Sequence, residues 1–379
     1  MNREHLIITI ARLHETMSRI RAVDFGSEAY NNLRDELCQV ADKIHSIPRS
    51  ELDKIDSRII YASHAEQIAH WMHCLEESKN DTVNQEIIYI VSKLASHWGI
   101  SDEHNVLLFA HGDFAVRHFP KEPSALHLNV IESIYKVHFS REPRILYIPK
   151  FYDGDMLFTS ILFHEVGHMV DRDNAVSEII YQKIENIIKN KPKSKVVVNY
   201  FKDIIDNRTM DVPIVKSHIR EYIADLFCCQ YLGEHALHYV AYKESNQRNA
   251  DRVDHPTFAC RERLISSFLS YMKSPTCYTD DVFLKWVIEE FENIKDIDNL
   301  GKHFDLVDWH QIIKDNHVTV DTEDKLFSLL ANGWSIALLG QQSVERERQM
   351  GLGTLSISDY YRLINNLLKQ GINEFIAQA

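Results

Sequence analysis

Apolar residues recur every three or four positions along most of this chain, which is the spacing of amphipathic helices. The pattern is clearest toward the two ends of the chain, where it predicts successive helices. The predicted segments are 1–22, 27–46, 60–79, 83–98, 281–294, 322–339 and 358–377.

The middle of the chain departs from this pattern before returning to it. Residues 105–110 and 144–149 are short, β-branched segments typical of strands, with a helix predicted near 125–137 between them. Residues 155–273 are predicted to be nearly all helical. We therefore expect a mainly α fold with a small β-sheet (α+β). The predicted regions are an N-terminal helical region 1–100, a core 101–275 and a C-terminal helical region 276–379.

Residues 164–168 read His-Glu-Val-Gly-His inside an apolar segment. On a helix, His164 and His168 lie one turn apart on one face, so both imidazoles can bind one metal ion. Glu165, the next residue round the helix, then points toward the open side of that ion. Burying two histidines and a glutamate in so apolar a segment is costly unless they have a partner. The motif therefore predicts a zinc site with its own general base.

Two further residues of this segment carry structural information. Asp155 stands just before the apolar run and is a plausible N-cap for the motif helix. Gly167 costs about 1 kcal/mol relative to alanine inside a helix. We therefore expect another part of the protein to pass close to the backbone at Gly167.

A second motif, Glu-Tyr-Ile-Ala-Asp at 221–225, lies on another predicted helix. Glu221 and Asp225 are one turn apart, so one carboxylate can bind the metal while the other holds a ligand histidine by its second nitrogen. Glu221 is the favoured third ligand. His218, one turn earlier, and Asp225 itself are the rival candidates.

These two motifs together resemble the gluzincin class of zinc metallopeptidases. Residues 254–264, Asp-His-Pro-Thr-Phe-Ala-Cys-Arg-Glu-Arg-Leu, resemble the His-Pro and arginine segment of one gluzincin family. That family contains the CaaX prenyl proteases, the membrane heat-shock protease X and their soluble relatives, and this chain is most like a soluble form. The resemblance covers roughly residues 140–270.

The resemblance implies a zincin-like catalytic core that binds one Zn²⁺ per chain. By this likeness His164, His168 and Glu221 would be the zinc ligands, and Glu165 would be the general base. Asp225 would not bind zinc itself but would be the partner of the ligand His164. His255 would lie near the oxyanion. Arg261 or Arg263 would anchor the site by hydrogen bonds.

The chemistry expected of these residues is hydrolysis of a peptide bond. Two imidazoles and one carboxylate leave a zinc position open for water, and Glu165 would accept the proton of that water. His255, His218 or a tyrosine would stabilise the oxyanion. The expected partner is a protein or peptide substrate, which an exposed edge strand at 144–149 would align if that strand is not simply buried. The alternative is a regulatory or protein-binding module on a peptidase scaffold, against which the intact Glu165 argues.

Composition narrows the remaining classes. A net charge of −13 argues against a nucleic-acid partner. No apolar stretch is long enough to span a bilayer, and no N-terminal segment has the pattern of a signal peptide. The six cysteines lack the C-x-x-C spacing of zinc sites, which favours free thiols in the cytoplasm. The sequence makes no prediction of oligomeric state.

Overall fold

The computed structural model of this chain is mainly helical, with one small sheet. The chain folds as two units, one made of Met1–Ile88 with Ala95–Asp153 and the other of Tyr89–Leu94 with Gly154–Ala379. The structure describes residues 3–26, 28–78, 84–100, 104–111, 117–118, 125–149, 154–190, 194–201, 204, 212–238, 240, 255–273, 281–294 and 307–378.

The helices of the N-terminal part lie close to their predicted positions. They are α1 (Arg3–Ile20), α2 (Glu28–His45), α4 (Ile55–Glu77), α5 (Gln85–His97) and α6 (Ala125–Tyr135). The short helix α3 (Arg49–Leu52), between α2 and α4, is not predicted by the sequence pattern. In α1 the apolar face predicted from the sequence is the buried one, and it includes Leu6, Leu13 and Ile20. Ion pairs join Arg3 to Asp53 and Arg19 to Glu76, so α1 and α4 run side by side in the same direction.

The first unit also contains a three-stranded sheet with the order β1 (His104–His111), β3 (Glu142–Pro149), β2 (Arg117–His118). β3 pairs in parallel with β1 and antiparallel with β2. The strand predicted at 144–149 is therefore central, and Ile145, Leu146 and Ile148 are buried. Of the two alternatives for this strand, the structure has the buried strand and not the exposed edge strand. The local pattern leaves this choice open because edge character depends on long-range pairing.

The second unit is built from helices and two short 3₁₀ turns, at Met156–Phe158 and Gly233–His235. Its helices are α7 (Thr159–Asn174), α8 (Val176–Asn190), α9 (Lys195–Tyr200), α10 (Val212–Leu232), α11 (Phe258–Lys273), α12 (Val282–Ile294), α13 (Trp309–Asp315), α14 (Glu323–Leu339), α15 (Gln341–Glu347) and α16 (Ile357–Gln378). α7 carries the first motif and α10 carries the second.

α10 is the central helix of this unit and packs against α7, α8, α11 and α14. The ring of Phe327 on α14 contacts both Phe163 on α7 and Tyr231 on α10. Helices on both sides of residue 275 therefore share one core. The three regions predicted from breaks in the helical pattern do not coincide with the two units, because such breaks do not show which helices pack together.

The sequence also made predictions about membrane-spanning segments and cysteines. No helix in the described ranges is long and apolar enough to cross a membrane. Cys38, Cys74, Cys228, Cys229 and Cys260 are free thiols. Cys277, Asp254 and part of the basic stretch at 189–195 lie outside the described residues.

Candidate metal centre

Close contact between α7 and α10 brings the two motifs together at Gly167. A methyl group on Gly167 would lie 2.9 Å from the Cα of Ala224 and 2.9 Å from the Cβ of Phe227. Any residue larger than glycine at this position would hold the two helices apart. The close approach expected at Gly167 is confirmed, and the passing element is the helix that carries Glu221.

His164, His168 and Glu221 lie together where these helices cross. One potential ligand atom from each residue lies within 4.8 Å of the other two. Nε2 of His164 is 3.4 Å from Oε2 of Glu221, and Nε2 of His168 is 3.4 Å from Oε1 of the same carboxylate. Within the described part of the chain, no other group of three or more histidine, cysteine or acidic side chains is placed to bind a metal in this way.

These atoms are farther apart than in strong direct hydrogen bonds and close enough to bind one metal ion together. Zinc ligands lie about 2.0–2.1 Å from the ion, so two ligand atoms at tetrahedral positions are roughly 3.3–3.4 Å apart. Strong hydrogen bonds between these groups would be shorter, at about 2.7–2.9 Å. Oε2 of Glu221 is buried and makes no hydrogen bond of regular geometry with any described residue. These residues therefore fit a zinc ion.

The second ring nitrogen of His164 faces a buried ion pair. Nδ1 of His164 is 3.1 Å from Oδ1 of Asp225. Arg261 donates two hydrogen bonds to the same carboxylate, at 2.6 and 2.5 Å, and its side chain is fully buried. This arrangement fixes the ring of His164 so that Nε2 points toward Glu221, as carboxylate partners do for histidine ligands in metal sites.

The charges of the site are set by these contacts. Burial alone would raise the pKa of Glu221, but its contacts with His164 and His168 lower the pKa well below its usual value. Burial likewise opposes ionisation of Asp225, yet Arg261 keeps its pKa below the usual value. Both carboxylates are therefore ionised near neutral pH, which is the state that a metal ligand and its partner require.

The site is closed on one side and open on the other. His164 is fully buried, whereas the side chain of His168 is 18% exposed. His255, just before α11, places Nε2 3.5 Å from Oε1 of Glu221, and its side chain is 31% exposed. Glu165 is buried on the motif helix between the two histidines. Among the described residues of this group, His168 and His255 are therefore the ones with the more exposed side chains.

The structure distinguishes between alternatives that the sequence left open. Arg261 contacts Asp225, whereas Arg263 donates to the backbone oxygen of Asn199 instead. Glu221 joins the two histidines, while His218 is buried but lies outside this group. Asp225 approaches His164 through Nδ1, on the side away from Glu221.

Known proteins offer no further guide to this site. Comparison of the chain with protein-family models, with curated proteins and with solved structures gave no match.

Sequence reasoning missed a buried carboxylate next to the site. Asp171 lies one turn after His168, is 2% exposed and accepts a hydrogen bond of 2.6 Å from the backbone of Ser177 at the start of α8. Its Oδ2 is 4.0 Å from Nε of Arg220, the neighbour of Glu221. Asp171 thus connects three helices around the ligands. The available signal was an acidic residue on the apolar helix three positions after the second histidine.

Proposed function

We propose that this protein is a zinc-dependent endopeptidase with one zinc ion per chain. The observation that carries the proposal is the grouping of His164, His168 and Glu221, since one potential ligand atom from each lies within 4.8 Å of the other two. Two imidazoles and one carboxylate are a ligand set of catalytic zinc sites, which keep a fourth position for water. Glu165, adjacent in sequence to the first ligand, supplies the general base that hydrolysis of an amide requires.

The chain's own residues divide the reaction between them. His164, His168 and Glu221 would hold a zinc ion, which would supply Lewis acidity and so make a water molecule acidic enough to be a nucleophile near neutral pH. Glu165 accepts a proton from the attacking water and later delivers it to the leaving amine. Asp225 and Arg261 hold His164 in position during these steps.

His255 is the candidate donor to the developing oxyanion. Its Nε2 lies on the open side of the site and within 3.5 Å of a ligand atom, so an imidazole N–H there can reach a substrate carbonyl. This contribution is tested by His255→Gln, which keeps a donor of similar reach, beside His255→Ala, which removes it.

The proposed substrate class is a protein or peptide. The chain's net charge of −13 disfavours a nucleic-acid partner, and its free thiols suit the reducing cytoplasm in which we propose that it acts. We expect the substrate to enter from the side of His168 and His255, and the attack to occur on the carbonyl carbon of its peptide bond.

The direct test compares the wild type with Glu165→Gln and with Glu292→Gln, an exposed position on α12. Each protein is analysed for zinc per chain and for cleavage of a denatured protein library. We expect stoichiometric zinc in all three and cleavage by the wild type and Glu292→Gln alone. Cleavage that survives Glu165→Gln, or a wild type that holds no zinc, would refute the proposal.

A further inference from the structure

The turn that leads into α7 depends on a side chain from the C-terminal helix. Asn365 on α16 accepts a hydrogen bond of 2.7 Å from the backbone N–H of Met156. The backbone N–H groups of Leu157 and Phe158 donate to Asp155, to its carboxylate and its carbonyl respectively. Phe158, the N-cap of α7, makes no side-chain capping bond. Asp155 and Asn365 thus jointly cap the 3₁₀ turn Met156–Phe158, which leads directly into the motif helix.

Asn365 is itself held rigidly in this position. It is 7% exposed, and its Nδ2 donates to the backbone oxygen of Tyr361 at 3.2 Å. The hydroxyl of Tyr361 donates to Oδ2 of Asp155 at 2.5 Å. Both ends of the amide are therefore used, and the same helix contacts both parts of the cap.

Apolar packing supports the same connection. A methyl group on Gly333 of α14 would lie 3.0 Å from a methyl of Leu368 on α16 and 3.5 Å from a methyl of Leu157. Leu157 is 2% exposed. The turn before α7 therefore lies against α14 and α16.

The position of α7 decides whether the ligand atoms meet, because both histidines lie on α7 whereas Glu221 lies on α10. His164 follows Met156 by about 12 Å along the helix, at 1.5 Å per residue. Contact at Gly167 fixes the helix near its middle, and the cap fixes its beginning. Two such points define the direction of a helix, whereas one leaves it free to tilt.

We propose that Asn365 is a positioning residue for the metal centre, acting through the 3₁₀ turn that leads into the motif helix. The inference rests on the proposed function for its effect on metal binding, although its effect on α7 does not depend on a metal. It gives the C-terminal helix a part in the site, although Asn365 is far from the motif in sequence.

The competing explanation is that Asn365 contributes only to overall stability. Gly371→Ala provides the matched control on the same helix. A methyl group there would clash with Leu329 and would lie 2.9 Å from Val318, so it disturbs the packing of α16 without touching the cap of α7. Tyr361→Phe is the milder test variant, since it removes one hydrogen bond to Asp155 and keeps the ring.

The experiment measures two quantities for the wild type, Asn365→Leu, Tyr361→Phe and Gly371→Ala, well below their unfolding temperatures. One is the dissociation constant for Co²⁺, read from its visible absorption, and the other is amide hydrogen exchange over residues 159–170. We expect about tenfold weaker Co²⁺ binding and faster exchange in Asn365→Leu, a smaller change in Tyr361→Phe, and neither change in Gly371→Ala.

Three results would count against parts of this account in different ways. Wild-type Co²⁺ affinity and exchange in Asn365→Leu, with only a lower unfolding temperature, would overturn the positioning role. Equal changes in Gly371→Ala would also overturn it. A wild type that binds no Co²⁺ would refute the proposed metal site, and exchange over 159–170 would then decide the role of Asn365 alone. If Asn365→Leu fails to fold, Tyr361→Phe against Gly371→Ala decides it.

Discussion

The two units of this protein bury very different side chains. The core of the first unit is almost wholly apolar, and Arg144 is the one buried charged residue in its described part. The described part of the second unit buries several charged groups, most of them near the crossing of α7 and α10. They are Glu165, Asp171, Glu221, Asp225, Arg261 and Glu345.

This difference distinguishes residues that stabilise the fold from residues that are candidates for a functional site. Burying charges is costly, and a well-packed apolar core stabilises a fold at least as well. A concentration of buried charge whose members contact one another therefore marks a candidate functional site. Changes in the first core should alter stability alone, whereas changes near the crossing should alter metal binding as well.

The largest effect is expected for Arg261→Met. This change leaves the buried carboxylate of Asp225 without its cation, which should lower the free energy of unfolding by about 3–5 kcal/mol. Zinc affinity should fall about 10–100-fold, because His164 loses its fixed orientation. Denaturant unfolding of the apo-protein and zinc titration measure the two quantities.

The double variant Arg261→Met/Asp225→Leu sharpens this prediction. Replacing both charges should restore most of the lost stability, because no buried charge remains unpaired. It should not restore zinc affinity, because the partner of His164 is still missing. Recovery of both quantities would mean that the pair has no part in the site.

Trp71→Ala is the matching change in the first unit. Trp71 is 1% exposed and packs edge-on against Phe139. Its loss should cost about 3–5 kcal/mol of stability in that unit. The zinc dissociation constant of the folded protein should stay within about twofold, and a larger change would break the distinction between the two units.

The third prediction concerns acid stability and His235. Burial, reinforced by His238, lowers the pKa of His235 to about 4, while Glu234 acts in the opposite direction. The unfolded chain, with a histidine pKa near 6.5, then binds the proton more tightly than the folded one. The contribution of neutral His235 to the free energy of unfolding is therefore fully present above pH 6.5. As the pH falls from 6.5 toward 4, the free energy of unfolding decreases by up to about 3 kcal/mol.

His235→Gln tests that pH dependence. Glutamine can keep a hydrogen bond to Ser335, which lies 3.0 Å from Nε2 of His235. Unfolding free energies measured between pH 4 and 7 should depend less on pH in the variant than in the wild type. Equal slopes would show that other groups cause the acid sensitivity.

Gly167→Ala should have the smallest effect on stability. Alanine gains about 1 kcal/mol in a helix, but its methyl group forces α7 away from Ala224, at a cost of about 1–3 kcal/mol. We expect a net loss of about 0–2 kcal/mol together with weaker zinc binding, since Glu221 moves with α10. Ala175→Gly at the end of α7 is a control that touches neither helix crossing nor ligand. Unchanged zinc affinity in Gly167→Ala would contradict the role given to this contact.

Local features of the sequence predicted local features of the structure well. Apolar periodicity placed the helices to within a few residues, and an expensive glycine in the motif helix correctly indicated a close crossing. These succeed because helical periodicity and backbone sterics are properties of neighbouring residues.

Features that depend on tertiary packing were less accessible. Arg261 and Arg263 are two residues apart and point in different directions from α11, so only the packed structure shows which one faces Asp225. The central place of β3 and the contact from Asn365 to Met156 likewise depend on distant pairing. No local pattern carries that information.

The most direct test of the central claim is zinc K-edge X-ray absorption of the protein loaded with one equivalent of zinc. The account predicts only nitrogen and oxygen neighbours at about 2.0–2.1 Å, with the outer-shell scattering of two imidazoles, and loss of this signal in Glu221→Ala. A sulfur neighbour at about 2.3 Å, or a spectrum unchanged by Glu221→Ala, would place the metal elsewhere and contradict the site described here.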